Sequence, residues 1–429
     1  MYVAAAPETG PMTSTDANGS PSAPMPAPPH AAWRRLVPVT VLKPALCATA
    51  GIDGGPIFQI LAVENLGISA AALGLAFGFG VVSLPFQIAA ARVSLRRARP
   101  NLQWFLIVTA IQAWILAALV AAEATGDVAT IALVVTVTAE LAVSLLYATA
   151  WQPLLSFTVD PANRQRLNSS WQAIARGVLA GSLIAIGAFG DGFRAVFLIL
   201  VGIAAVAAAA GLRRVPAPSV HGDSDSEEND STRDDRPRSH LLLFVVLGLV
   251  SFGEMPLWLV YLDKVLWPDG SLGLVAAVQI IAAMVAMLAW RPTERDVTGR
   301  ALAAAVVNLA GIGLIVIVPG PNPGQTGQAL LLVATALTAI GATTTNIALV
   351  ELAHRSVDDR TAVRTFTMID VVGSTSLQAG LAAAGLLIAA STSTGSWPVD
   401  PYQILITGAA LTTLVASLQL RRRSQIHAA

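Results

Sequence analysis

The sequence predicts an all-α membrane protein, with twelve transmembrane helices arranged as two pseudo-symmetric six-helix bundles. Three observations carry that expectation. The 429 residues are 55% hydrophobic and only 12% charged, with a mean hydropathy of +0.66, where a soluble chain carries about 25% charged residues. Apolar runs long enough to cross a bilayer, about 20 residues each, recur twelve times. Arginine-rich loops alternate regularly with loops that hold almost none.

Residues 1–35 come first, and most of them form the stretch "MYVAAAPETGPMTSTDANGSPSAPMPAPPH". It is rich in Pro, Ala, Ser and Gly and has little to bury, so a disordered cytoplasmic tail is expected. No charged stretch precedes an apolar run there, so it does not read as a signal peptide. The first six spans are expected near 37–63, 69–91, 102–123, 128–152, 168–189 and 193–212. The second six are expected near 240–262, 271–290, 301–319, 327–352, 366–390 and 401–420. The N-terminal bundle is therefore 36–212 and the C-terminal bundle 240–420. Between them, 213–239 is polar, acidic in its middle and Pro-bearing, the composition of a flexible cytoplasmic linker. Residues 421–429 form a short cytoplasmic tail.

One set of loops holds Arg34 and Arg35, Arg92 to Arg99, Arg164 and Arg166, Arg213 and Arg214, Arg291 to Arg300, Arg355 to Arg364, and Arg421 to Arg423. The opposite face shows only Arg194 and Lys264. Positive charge is retained on the cytoplasmic side, so both termini are expected in the cytoplasm of a multi-pass protein of the cell membrane. The halves also resemble each other. "DGGPIFQILAVENLGISAAALGLA" and "GEMPLWLVYLDKVLWPDGSLGLVA" each place an acid two or three residues before a proline, a second acid near the outer end, and a Gly-Leu pair in the next helix. "VDPANRQR" and "VDDRTAVR", after the fourth and tenth spans, match in the same order. Matches that keep their order point to a duplicated six-helix unit.

On these features the chain resembles the major facilitator superfamily of transporters, over about 36 to 420. That family's signature G-x-x-x-D-R-x-G-R falls between helices two and three and again between eight and nine. Here the first loop reads "ARVSLRRAR", keeping Arg96 and Arg99 but placing Leu95 where the acid belongs. The second reads "PTERDVTGR" and keeps Asp296, Gly299 and Arg300. The resemblance implies that Arg96, Arg99, Asp296 and Arg300 act as cytoplasmic latches, with Arg364 and Asp370 as further gating residues. Topology determinants facing lipid headgroups are the alternative reading of Arg92 to Arg99. The arginine that proton-coupled drug antiporters of the family carry in helix four is replaced by "TVTAELAVSLLY", and their helix-five Gly-Pro is absent from "RGVLAGSLIAIGAFGDG".

Ionisable groups inside a span cost about 2.5–3.5 kcal/mol each, so they usually face a cavity and act there. Asp53, Glu140 and Glu254 fall near the middle of spans one, four and seven. The resemblance implies that helices one, four, seven and ten line the central cavity, which puts all three acids where substrate binds. Such an acid can exchange protons as access alternates, or pair with a cationic substrate. The competing reading is a hydrogen bond to a carbonyl freed by Pro56 or Pro256. Gln59 and Gln112 are further lining candidates, with Gln279, Asn308 and Gln378 weaker and equally suited to helix packing. Trp114 and Tyr147 are lining candidates too, whereas Trp104, Trp258, Trp267 and Trp397 are expected in an interfacial belt. Glu64 and Asp263 are expected to be solvated near the outer surface.

Enzymatic activity is not expected. No Gly-Lys-Ser/Thr phosphate loop is present, the single cysteine, Cys47, has no partner for a disulfide or metal set, and the five histidines lie in tails, linker or span ends. Neither a cofactor nor a metal is expected. A formal net charge of zero argues against nucleic-acid binding. The expected partners are a small-molecule substrate, protons and the lipid bilayer, with the chain acting as a monomer. The leading expectation is a proton-coupled secondary transporter that exports a drug-like or secondary-metabolite compound. A non-transporting sensor or assembly protein of the same fold stays open, as does a proton-symport nutrient permease.

Overall fold

The computed structural model describes residues 56–83, 85, 98–158, 174, 177–185, 191–213, 255, 257–268, 270, 272–289, 296–318, 320–356, 359–393 and 400–426. Among them the chain is helical throughout, without a strand. The helices are α1 (Pro56–Ile60, continuing through Leu61–Asn65), α2 (Ala70–Gly78, tightening through Phe79–Ser83), α3 (Ala98–Ala121), α4 (Gly126–Thr158), α5 (177–185) and α6 (Asp191–Leu212). The second set is α7 (Trp258–Tyr261, continuing through Leu262–Leu266), α8 (Leu272–Ala289), α9 (Val297–Ile317), α10 (Gln325–Ser356), α11 (Asp359–Ser393) and α12 (Pro401–Ile426). Eight of these, α3, α4, α6 and α8–α12, are long and apolar enough to cross a bilayer within their described residues.

Helix starts follow from local chemistry. Ser69 caps α2 by accepting the Ala72 N–H at 3.2 Å, and Asp296 caps α9 by accepting the Gly299 N–H at 2.8 Å. Asp400 precedes Pro401, a residue suited to the first helical position because its missing N–H is not needed there. Each cap satisfies an otherwise orphaned N–H. Hydropathy places several ends too far inward. α9 begins at Val297, just after its cap and four residues before the expected 301, and α10 and α11 run past their apolar limits into polar sequence. A helix satisfies its own backbone whether or not its side chains suit lipid, so hydropathy sees the membrane and not the helix.

The packing repeats between the halves. α3 packs on α4 and on α6, as α9 packs on α10 and on α12, and α2 meets α4 as α8 meets α10. Small residues set the closest of these approaches. A Cβ on Gly341 would stand 2.6 Å from the Asn308 backbone nitrogen, and one on Gly311 would stand 2.7 Å from Thr338 Cγ2. The α9–α10 seam therefore needs glycine at both positions. The halves join along α2–α11 and, more sparsely, along α4–α11 and α1–α7.

The first helix of each half leaves its span in the same way. α1 and α7 both widen at the end into a five-residue turn, closed by Leu66 N–H to Leu61 C=O at 3.2 Å and Trp267 N–H to Leu262 C=O at 2.7 Å. Such π-type turns disturb helix periodicity and recur at functional sites. They lie at the face away from the arginine-rich loops, called distal below. One apolar cluster, including Leu61, Leu66, Phe77, Leu133, Leu183, Trp258, Leu266, Leu331 and Leu381, runs through the distal parts of both halves. This cluster packs the described distal parts of the two halves against each other.

Candidate functional site

Burial separates the central helices from the peripheral ones. Every residue from Ile57 to Val63 of α1 and from Leu257 to Leu262 of α7 is buried. On α3 and α6 apolar side chains such as Ile111, Ile199 and Ile203 are exposed, as lipid-facing positions are in a bilayer protein. α1 and α7 thus occupy the interior of the assembly. α7 reaches it with strain, since Met255 and Leu257 hold φ of +51° and +58°, a left-handed geometry that costs about 1–3 kcal/mol per residue outside glycine.

Glu140 is the one fully buried carboxylate among the described residues, at 0% exposure. It shares a face of α4 with the buried residues Leu133, Thr136 and Val137, at the three- and four-residue spacing that stacks side chains on one side of a helix. It lies about 21 Å along α4 from Gly126, at 1.5 Å per residue. The next residue, Leu141, closes on Gly80 of α2, where a Cβ would stand 2.5 Å from Leu141 Cδ1 and 2.9 Å from Gln378 Cδ of α11. Glu140 is thus adjacent in sequence to a point where α2, α4 and α11 converge across the two halves. Gln59 on α1, Gln112 on α3 and Gln378 on α11 are the buried amides of the same apolar interior, with Asn308 buried at the α9–α10 seam. Asp53 and Glu254 lie outside the described residues.

The gating candidates divide in the same way. Arg96 lies outside the described residues, and Arg364 and Asp370 are on α11 with side chains outside them. Arg99, at the start of α3, donates to the Arg213 carbonyl at the end of α6 at 3.5 Å, so this contact stays within the first half. It heads a column of α3-to-α6 bonds that includes Gln103 Nε2 to Ala209 C=O at 3.0 Å and Trp114 Nε1 to Ile199 C=O at 3.3 Å. Asp296 spends its carboxylate on the α9 cap, accepting from the Gly299 N–H and from the Thr298 hydroxyl at 3.3 Å. Any Cβ on Gly299 would collide with that carboxylate, which is the physical reason for glycine in "DVTGR". Arg300 follows on the first turn of α9, and its N–H meets the Asp296 C=O at 3.3 Å.

Two expectations for aromatic residues change. Trp114 is 40% exposed and rests on Gly202 of α6 at the lipid-facing surface, so it does not line the interior. Trp258 is 2% exposed, packs 6.0 Å from the Tyr261 ring, and belongs to the core and not to an interfacial belt. Both residues sit in apolar runs whose hydropathy says nothing of which way a ring turns.

Glu64 is not simply solvated. Arg194 of α6 bridges Glu64 Oε2 at 2.8 Å and Asn65 Oδ1 at 2.6 Å, with side-chain exposures of 13% for Arg194 and 34% for Glu64. The second half has a counterpart that the sequence reading missed. The Tyr261 hydroxyl donates to Asp400 Oδ2 at 2.7 Å, and Asp400 Oδ1 accepts from the Ser391 hydroxyl and the Tyr402 N–H, both at 2.9 Å. The Tyr261 and Tyr402 rings stack at 4.2 Å. The Asp-Pro pair was the available signal for Asp400, as a helix cap and first position.

Among solved structures, the fold resembles a mutant form of the nucleoside transporter NupG, at 11% identity and a TM-score of 0.61 over 91% of this chain and 99% of that one. It also resembles a bacterial homologue of the iron transporter ferroportin at 14% identity. In the outward-facing state the TM-score is 0.60, and in the inward-facing state 0.56, each over 89% of this chain and 98% of that one. Likeness at these identities is likeness of fold alone, and it spans both states. No curated protein sequence matches the chain. The family profile described as Major Facilitator Superfamily matches residues 45–376. With that match over well more than half its length, and with this helical fold, the chain belongs to the Major Facilitator Superfamily and is a multi-pass membrane transporter, not an enzyme.

Proposed function

We propose that this transporter is a secondary active one, moving a small organic molecule by alternating access, with Glu140 carrying a coupled proton. The observation that carries the reading is the fully buried Glu140 carboxylate, set in an apolar interior beside the convergence of α2, α4 and α11. An ionised carboxylate is expensive to keep at such a depth, and in membrane proteins acids placed there mark proton and substrate paths. Asp53 and Glu254 complete the proposed coupling set, on the strength of the acid-before-proline arrangement shared by "GIDGGPIF" and "FGEMPLW". Gln59 and Gln112 are proposed to supply hydrogen bonds to the substrate, and Arg96, Arg99, Asp296, Arg300, Arg364 and Asp370 to gate the arginine-rich face.

An apolar interior with few acids suits an amphipathic or cationic compound, and export across the cytoplasmic membrane is the proposed direction. The proposed working unit is a monomer of two bundles, 36–212 and 240–420, with both termini in the cytoplasm by the arginine distribution. Nucleosides and iron are not carried over as substrates, because the resemblance to their transporters is one of fold.

The test uses purified protein in proteoliposomes with an imposed pH gradient and ethidium as a fluorescent organic cation. Wild-type protein is expected to move the dye against its gradient. Glu140→Gln is expected to lose that coupled movement while eluting as wild type in size-exclusion chromatography. Equal coupled flux in the two proteins removes Glu140 from the proton path. Absence of flux for ethidium and for a broad panel of organic compounds would favour the sensor reading.

A further inference from the structure

Six threonines are buried among the described residues, and five of them satisfy their hydroxyls locally. Thr136, Thr335, Thr338, Thr345 and Thr413 each donate to the carbonyl one turn back in their own helix, at 2.8–3.0 Å. That bond is open to a helical threonine and is a ready partner for a hydroxyl in an apolar span. Thr109 of α3 is the sixth. It is wholly buried, yet its hydroxyl makes no hydrogen bond among the described residues. A hydroxyl withdrawn from water and turned away from its own helix calls for a physical reason, such as a partner taken up in another state.

The side that Thr109 occupies on α3 points to that partner. Arg99, Gln103 and Trp114 bond to α6 and mark one side of α3, while the exposed Trp104 and Ile111 mark the lipid side. At about 100° per residue, Thr109 stands about 120° round the helix from Gln103, away from lipid. It shares this buried side with Phe105 and Leu116, toward α4 and the interior, and α3 packs along α4. The depths agree as well. Thr109 lies about 18 Å along α3 from Ala121, and Glu140 about 21 Å along α4 from Gly126, two ends that one short loop joins. An offset of about 3 Å is within the reach of a glutamate side chain without movement of either helix. The other ionisable groups of the elements packed on α4 are remote. Arg99 and Asp127 stand at the ends of α3 and α4, the described part of α2 carries none, and α11 keeps Asp359, Arg360, Arg364 and Asp370 toward its arginine-rich end. We propose that the Thr109 hydroxyl is the hydrogen-bond partner of Glu140 in the coupling cycle. It acts as a positioning residue, donating to the carboxylate and accepting from the carboxylic acid. A hydroxyl carries one donor and two acceptor lone pairs, so it keeps its bond whichever way the proton stands. The inference rests on the reading that Glu140 carries the coupled proton, and adds to it a residue of a peripheral helix.

Thr109→Val keeps the branched shape and removes the hydroxyl, whereas Thr109→Ser keeps the hydroxyl. Because the hydroxyl has no partner in this conformation, Thr109→Val is expected to melt no lower than wild type. A clear fall in its thermal midpoint, or failure to fold, would overturn the proposal. Infrared spectra of the purified protein in nanodiscs, taken over a pH series, identify the Glu140 bands as those lost in Glu140→Gln. In Thr109→Val these bands are expected to move to the frequency of a carboxyl group with one hydrogen bond fewer, and in Thr109→Ser to stay as in wild type. Unmoved bands in Thr109→Val, or an equal shift in Thr109→Ser, overturn the proposal. In proteoliposomes, Thr109→Val is expected to cut ethidium flux driven by a pH gradient on the order of tenfold, relative to its downhill flux without one. An unchanged ratio of the two fluxes would mark a packing role and overturn it too. Moved bands in a protein that transports neither ethidium nor a broad panel of organic compounds would keep the Thr109–Glu140 pair and refute the transport reading instead.

Discussion

At their distal ends the two halves bind their first helix to their sixth by different chemistry. In the first half, α1 is tied to α6 by an ion pair and an amide, Arg194 to Glu64 and Asn65, partly open to solvent. In the second, α7 is tied to α12 by a phenol and a carboxylate, Tyr261 to Asp400, beneath stacked tyrosine rings and with Ser391 of α11 drawn in. A duplicated architecture keeps the place of a bond and not its kind. An exposed ion pair contributes about 0–1 kcal/mol and is screened by salt. A part-buried carboxylate that accepts several hydrogen bonds is costlier to lose, because each abandoned donor keeps its desolvation penalty of about 1–3 kcal/mol.

The comparison can be broken most directly at Asp400. Asp400→Ala takes the acceptor from the Tyr261 hydroxyl and the Tyr402 N–H, leaves Ser391 only its bond to the Leu387 C=O, and removes the α12 cap. We expect it to lower stability by about 2–4 kcal/mol, read as a clear fall in the thermal midpoint of the purified protein. A loss no larger than that of Arg194→Ala would erase the distinction between the halves. Tyr261→Phe keeps the ring on Tyr402 and deletes only the hydroxyl, so about 1 kcal/mol is expected. A much larger loss would mean that the stack itself had moved, which the near-ultraviolet dichroism of the tyrosines would register.

Arg194→Ala should cost least, under about 1 kcal/mol at low salt. Its gap from wild type should narrow in about 1 M salt, where the screening length is about 3 Å, leaving the bond to the neutral Asn65 amide, whereas the Asp400→Ala gap should persist unchanged. Melting all three variants across a salt series therefore sharpens the contrast, and parallel salt responses would refute it.

Much of this architecture was legible in order along the chain. All twelve expected spans overlap a helix or a described part of one, and the ends that moved did so for a reason visible in Asp296 and in the polar start of α11. Glu140 stood out because a carboxylate in an apolar run contradicts its surroundings. Arg194 and Glu64 were each visible as charges on the arginine-poor face, but their pairing was not, since 129 residues separate Asn65 from Arg194. Gly74 of α2 and Gly385 of α11, where a Cβ on the first would stand 2.7 Å from the Cα of the second, gave no signal at all, because a glycine in a membrane helix is common and its meaning depends on what faces it.

By itself, then, the sequence determined the number, order and repeat of the membrane helices and the presence of a buried acid, because a bilayer imposes its thickness and its dislike of charge on every span locally. Only the tertiary structure decided which helices touch, that Trp258 is core while Trp114 faces lipid, and that α2 and α11 meet backbone against backbone at Gly74 and Gly385. Helix association in lipid runs on close shape complementarity between segments far apart in the chain, and no stretch of sequence contains both sides of such a contact.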